Sequence, residues 1–359
     1  MVTAKRKHEL EMDFAVPPGF TLADTLEALD MTQAQLALRT GLTTQTINRI
    51  IKGDQPITPN TANMLELTTG VPARMWNNLE TQYREQLAKN EEKMRLAEDL
   101  DWLKQIPITE LKNRGIISKQ NDKTIQLREV LGFVGASSVT TFRAYWNEKK
   151  VAARKTVAHS SVDAVTAIWI RQGELQARGI TCQPYNSEQF RSAVDEIRTL
   201  TKEPPEVFVP QLQSLCADAG VALCLVPEML KAPWYGATTW LTPEKAMIQL
   251  SLRGKWADQF WFSFFHEAGH VLYDNKKEVY LTDKYSDDPR EQRANRFAEE
   301  TLIPEVHRSR IPTLKSHAEV EALAKELNIL PAIIIGQFQR CTQKWGYFHR
   351  LRTKYNWNK

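Results

Sequence analysis

Apolar residues recur at helical spacing through the first eighty positions, and capping residues separate the runs into five short helices. Thr21 opens the first. Thr32-Gln33-Ala34-Gln35 has the form of a capping box ahead of Leu36, Ala37 and Leu38, and Gly41 makes the turn that follows. Thr43 caps the next helix, with Ile47, Ile50 and Ile51 as its buried face and Gly53 as its stop. Thr58-Pro59 opens a fourth helix and Val71-Pro72 a fifth, which runs into Trp76 and Leu79. Beyond residue 80 the chain is rich in charge and helix formers. Short helices broken at Pro107 are expected over 102–116, then two more over 127–133 and 139–146, with 90–125 as a hinge. Longer helices are expected over 161–178 and 187–201. The apolar run 221–226 reads as a core strand, and 236–241 with 248–251 as a hairpin turned at Pro243-Glu244. A helix around 261–273 is apolar almost all round and should be buried. One with Ala294, Phe297, Ala298, Thr301 and Leu302 as its stripe ends at Pro304. Amphipathic helices over 316–330 and from Pro331 to Gln339 close the pattern.

The buried helix carries His266-Glu267-Ala268-Gly269-His270. Histidines four apart share one helical face, so two imidazole nitrogens can meet one zinc ion, and the intervening Glu267 stands where a general base takes a proton from water. Unpaired polar groups in an apolar helix are costly, so these three need partners. A catalytic zinc keeps three protein ligands, and the best third is Glu291, on the following helix. Asn295, four residues on, shares its face and is placed to orient a ligand. Asp274, Glu299 and Glu300 compete less well. Donors for a developing oxyanion are available in Tyr235, Tyr280, Tyr285 and His307, with nothing in the sequence to choose among them.

His-Glu-x-x-His, then Glu291-x-x-Ala294-Asn295-x-Phe297-Ala298 and Leu302-Ile303-Pro304, resembles the ImmA/IrrE zinc metallopeptidases, which cut helix-turn-helix repressors. The resemblance implies His266, His270 and Glu291 as Zn²⁺ ligands and Glu267 as general base. It also implies that the segment 236–241 holds the backbone of a substrate as an added strand. Near the N-terminus, Ala37, Gly41, Ile47 and Ile50 have helix-turn-helix spacing. Thr43, Thr44, Gln45, Asn48 and Arg49 then lie where side chains reach base edges. The stretch from Ile50 to Trp76-Asn77-Asn78-Leu79 resembles the HigA-type antitoxin branch of the XRE repressors. The expected fold is therefore mainly α with a small β-sheet: an N-terminal all-α helix-turn-helix domain and an α+β zincin-like metallopeptidase domain. The expected divisions are an arm at 1–19, the DNA-binding domain at 20–89, a helical linker at 90–160, the peptidase domain at 161–315 and a C-terminal extension at 316–359.

Composition adjusts this picture little. The chain of 359 residues is 42 % hydrophobic and 25 % charged, with a net charge of +4, too small to define a partner. Residues 1–90 hold nine Lys+Arg and ten Asp+Glu, so DNA affinity should be modest and salt-sensitive, helped by Lys5-Arg6-Lys7 and by dimerisation. Four scattered cysteines favour reduced thiols in a cytoplasm. No signal peptide and no membrane span is visible. Residues 340–359 carry six Lys+Arg and no acid among five aromatics; packing of the aromatics with exposure of the cations is favoured over nucleic-acid stacking.

Three functions follow from the resemblances. The first is a cytoplasmic, homodimeric, operator-binding transcriptional regulator whose zinc endopeptidase cuts a repressor-type protein or the chain itself. The second is a HigA-like antitoxin that binds a HigB/RelE-like toxin and its promoter, with an inactive peptidase fold. The third is a peptidase whose helix-turn-helix captures its substrate by pairing.

Overall fold

The structure, a computed structural model, describes residues 15–153, 164–232, 234–276, 279–282 and 288–357. Lys5-Arg6-Lys7, Tyr285 and the first residues of the helix expected from 161 lie outside that set. The described residues form two compact units divided between Leu100 and Asp101.

The first unit is five helices: α1 (Pro18–Ala28), α2 (Gln33–Thr40), α3 (Thr44–Lys52), α4 (Pro59–Thr69) and α5 (Ala73–Glu98). α1 starts three residues before Thr21, because Pro18 takes the first helical position, where its missing N–H costs nothing. Thr32 and Gln35 make both bonds of the capping box, Thr43 caps α3, and Thr58 caps α4. Gly41 ends α2 in the left-handed region at φ 74°, which sets α3 across α2. Leu22, Leu36, Ile47, Ile50, Leu65 and Trp76 form the core. Glu80 ties α5 to the turn before α4, accepting from the Ile57 amide at 3.0 Å and from Arg84 at 2.7 Å. The expected hinge at 90–125 is largely helical. α5 runs to Glu98 because residues 80–98 hold no Gly or Pro and are strong helix formers. A 3₁₀ segment at Leu100–Gln105 follows it.

The second unit continues with α6 (Ile108–Asn113), α7 (Lys123–Val134), α8 (Val139–Ala153), α9 (Ala164–Arg178), α10 (Ser187–Thr199) and α11 (Pro205–Asp218). Strands β1 (Val221–Leu225), β2 (Gly236–Thr242) and β3 (Lys245–Leu250) lead into α12 (Ala257–Tyr273). The short β4 (Tyr280–Thr282), α13 (Pro289–Leu302), α14 (Glu305–Arg308), α15 (His317–Leu327) and α16 (Pro331–Thr342) complete it. The sheet order is β1-β3-β2-β4, with β1 parallel to β3 and the other pairs antiparallel. The β2–β3 hairpin turns at Pro243-Glu244, with Thr242 opposite Lys245.

Strand alternation decides which helix each face meets. Ala246, Ile248 and Leu250 of β3 join Phe264, Phe265 and Ala268 of α12 in one core, whereas Gln249 turns away and donates to the Trp169 carbonyl of α9 at 2.8 Å. α12 thus lies on one face of the sheet and α9 on the other. The expected packing of the C-terminal aromatics holds in part: Phe348 and Tyr355 are buried, with Trp261 donating to the Tyr355 hydroxyl at 3.0 Å, and Trp357 is half-buried, whereas Trp345 and Tyr347 are exposed. The cations stay outside them, with Arg352 lying 3.6 Å over the Trp256 ring. All four cysteines are free thiols. No helix among the described residues is long and apolar enough to cross a membrane.

Candidate metal centre and nucleic-acid interface

α12 is buried without a break from Ser263 to Val271, so its two histidines and its glutamate are held in an apolar mass. α13 crosses closely because Gly269 has no side chain: a Cβ there would sit 3.1 Å from the Ala294 Cα. That approach carries Glu291 to the histidines. The His266 Nε2 lies 3.1 Å from one Glu291 oxygen, the His270 Nε2 lies 3.2 Å from the other, and the two Nε2 atoms are 3.0 Å apart. All three side chains are at most 2 % exposed.

The outer nitrogens are committed elsewhere. His266 Nδ1 donates to Asn295 Oδ1 at 2.9 Å, and His270 Nδ1 donates to Asp274 Oδ2 at 2.5 Å. Arg293 pairs with the other oxygen of Asp274. Each Nε2 then points a lone pair inward. Burial pushes the Glu291 carboxyl up, but hydrogen bonding and charge from His266 and His270 in their protonated form outweigh it and pull it down to about 2, the same direction in which a bound cation would act. Its Oε1 has no hydrogen-bond partner although buried. One proton shared among the three groups satisfies one contact at a time, whereas one cation satisfies all of them. Ligand atoms about 2.0–2.2 Å from a tetrahedral zinc are roughly 3.3 Å apart, close to the spacing found, so the donor set fits the ion.

Glu267 is fully buried beside this trio and is gripped by β2. The Thr238 hydroxyl lies 2.6 Å from Glu267 Oε2 and 3.2 Å from the Glu267 carbonyl. Gly236, two residues earlier and on the same strand face, leaves the space that the carboxylate occupies. A Cβ there would stand 2.4 Å from Glu267 Oε1. The sequence reading made β2 a hairpin arm and a holder of substrate backbone, and missed this grip. Asp274, weighed there as a ligand, instead accepts from His270 Nδ1, a role its position four residues after His270 signals.

The remaining residues separate clearly. Glu299 pairs with Arg340 at 3.3 Å, and Glu300 is exposed, so neither reaches the trio. His307 pairs with Glu326 at 3.4 Å. Tyr280 is buried with its ring stacked on His270, 4.6 Å between centroids. Tyr235 lines a cavity of about 530 Å³ between α12, α13 and α16, with Phe262, Ser263, Asn295, Ile333 and Arg340. In the first unit, Thr44, Gln45 and Arg49 are exposed on α3 and Asn48 is half-buried. The exposed Thr43 is engaged as the cap, accepting from the Thr46 amide at 3.1 Å. The Ile47–Ile50 stripe turned into the core sets these residues outward.

Residues 22–76 match the family model described as Helix-turn-helix, and residues 233–334 match the one described as IrrE N-terminal-like domain. No curated protein and no solved structure matches the chain.

Proposed function

We propose that this chain, which joins a helix-turn-helix domain to an IrrE N-terminal-like peptidase domain, is a DNA-binding regulator with a working zinc endopeptidase. The observation that carries the reading is the convergence of the inner nitrogens of His266 and His270 with the Glu291 carboxylate, with Glu267 held beside them. These three side chains are the zinc ligands. When bound, the ion polarises a peptide carbonyl and acidifies water. The chain's own residues do the rest. Glu267 takes a proton from the attacking water and delivers it to the leaving amine. The Thr238 hydroxyl and the space at Gly236 fix the position of its carboxylate. Asn295 and Asp274 keep each imidazole in the tautomer that ligates.

In the first unit, Gln45, Asn48 and Arg49 of α3 read base edges in a major groove, with Thr43 and Thr44 at the helix start, in an operator bound by a homodimer. The substrate is a repressor-type protein supplied in trans. Within residues 90–125, the expected hinge, the chain is helical or 3₁₀ except at 99, 106–107 and 114–122. An antitoxin with an inert peptidase fold would not need Glu267 buried and held by the Thr238 hydroxyl.

Metal analysis tests the centre. Wild type should bind one zinc per chain, and His266→Ala should lose it. Glu267→Gln should keep the zinc and the fold but not cleave. A Glu267→Gln protein that cleaves at the wild-type rate would remove Glu267 from the mechanism.

A further inference from the structure

The peptidase reading requires an extended peptide beside Glu267 and the three ligands. Strand addition to a sheet edge is the general way to hold such a backbone. β2 is the strand nearest the centre, since Gly236 and Thr238 both face Glu267. One edge of β2 pairs with β3. The other is taken at the same level by β4, with Gly236 opposite Thr282, Ala237 opposite Leu281 and Thr238 opposite Tyr280. From Thr239 onward that second edge has no strand partner among the described residues.

The side chains of β4 complete the closure. Tyr280 shares a sheet face with Thr238, and its ring lies nearly parallel to the His270 ring, tilted by 13°. Val279, Tyr280 and Leu281 are 5 %, 1 % and 2 % exposed. The neighbouring cavity has Asn295 in its wall but none of the three ligands and not Glu267. Both the strand position and the approach over His270 are therefore filled by the chain itself.

We propose that β4 is a resident strand standing where the substrate backbone pairs, so that the peptidase is closed in this state and opens when an incoming extended segment displaces β4 from β2. This rests on the peptidase reading above. The exchange is balanced: the ladder hydrogen bonds lost with β4 are remade with the incoming strand, so its side chains decide the outcome. Three paired residues make a short edge strand, which opens locally more readily than the interior of the sheet. β4 also displays what the edge accepts, an aromatic side chain stacked on His270 next to an aliphatic one. The substrates that displace it are extended segments of that character.

Zinc loss from the loaded, full-length chain to excess EDTA reads the opening without any substrate. Tyr280→Ala, which uncovers His270, and Thr282→Pro, which removes the N–H that faces Gly236 across the ladder, should lose zinc at least about tenfold faster than wild type. Tyr280→Phe keeps the stack and should match wild type. Equal rates in all four proteins would overturn the resident-strand proposal while leaving the peptidase reading intact. Absence of zinc from the wild type would overturn both. If the two opening variants do not fold, hydrogen exchange on zinc-loaded wild type decides. The β4 amides should exchange far faster than those of β3, and equally slow exchange in the two strands would refute the proposal.

Discussion

Asp274 never touches the proposed metal, yet removing it should weaken zinc binding substantially. Its Oδ2 receives the His270 Nδ1 proton at 2.5 Å, its other oxygen pairs with Arg293, and the side chain is 1 % exposed. Asp274→Ala leaves His270 free to move its proton to Nε2, where it blocks the lone pair that ligates. A charge-assisted hydrogen bond has a net worth of about 1.5–3 kcal/mol. Loss of a ligand's supporting partner lowers metal affinity by about 10–100-fold, which at 1.36 kcal/mol per tenfold is roughly 1.4–2.7 kcal/mol, so the two estimates agree. Asn295 supports His266 through a neutral amide at 2.9 Å and is only half-buried. Its bond is worth about 0.5–1.5 kcal/mol, so Asn295→Ala should weaken zinc by roughly 2–10-fold. Competition with a chromophoric chelator at pH 7 gives both constants, and circular dichroism checks the fold. A folded Asp274→Ala protein with wild-type affinity, or a larger loss for Asn295→Ala, would refute the assignment of imidazole tautomers.

Gly236→Ala should keep zinc but lower cleavage of a confirmed substrate by about 100-fold, because the new methyl displaces the Glu267 carboxylate. Unchanged cleavage would show that β2 does not position the base. Arg49→Ala and Gln45→Ala should each weaken binding to a mapped operator by roughly 1–3 kcal/mol with non-specific binding little changed, measured by gel shift at fixed salt. Equal binding in both variants would move the reading surface off α3. Burial pushes the Tyr355 hydroxyl from an ordinary 10.0 up to about 12. The unfolded chain therefore loses that proton first, and the stability tied to neutral Tyr355 is complete below pH 10 and lost as pH rises towards 12. Tyr355→Phe gives up the Trp261 bond, about 1 kcal/mol, but its melting temperature should fall less steeply from pH 10 to 12 than that of wild type. Parallel curves would refute the burial argument.

What the sequence determined by itself was local. Caps at Thr32, Thr43 and Thr58, the stop at Gly53 and the two-residue hairpin turn are short-range chemistry, and the helices and strands begin and end close to them. The pairing of His266 with His270 follows from helical periodicity alone. The start of α1 and the length of α5 departed from expectation, because helix termini are set by a few weak preferences that neighbouring packing overrides. Tertiary structure decided the long-range contacts. That α13 approaches α12 closely enough for Glu291 to meet both imidazoles depends on the bare backbone at Gly269, which is read only once the two helices are in contact. Thr238 and Gly236 are ordinary strand residues until strand alternation and the packing of α12 aim them at Glu267, about thirty positions away. The pairing of β4 with β2 was the least legible, since three residues carry too little periodic signal to announce a strand. Its place on the sheet comes from a register fixed by burial of Tyr280 and Leu281, which no local rule supplies.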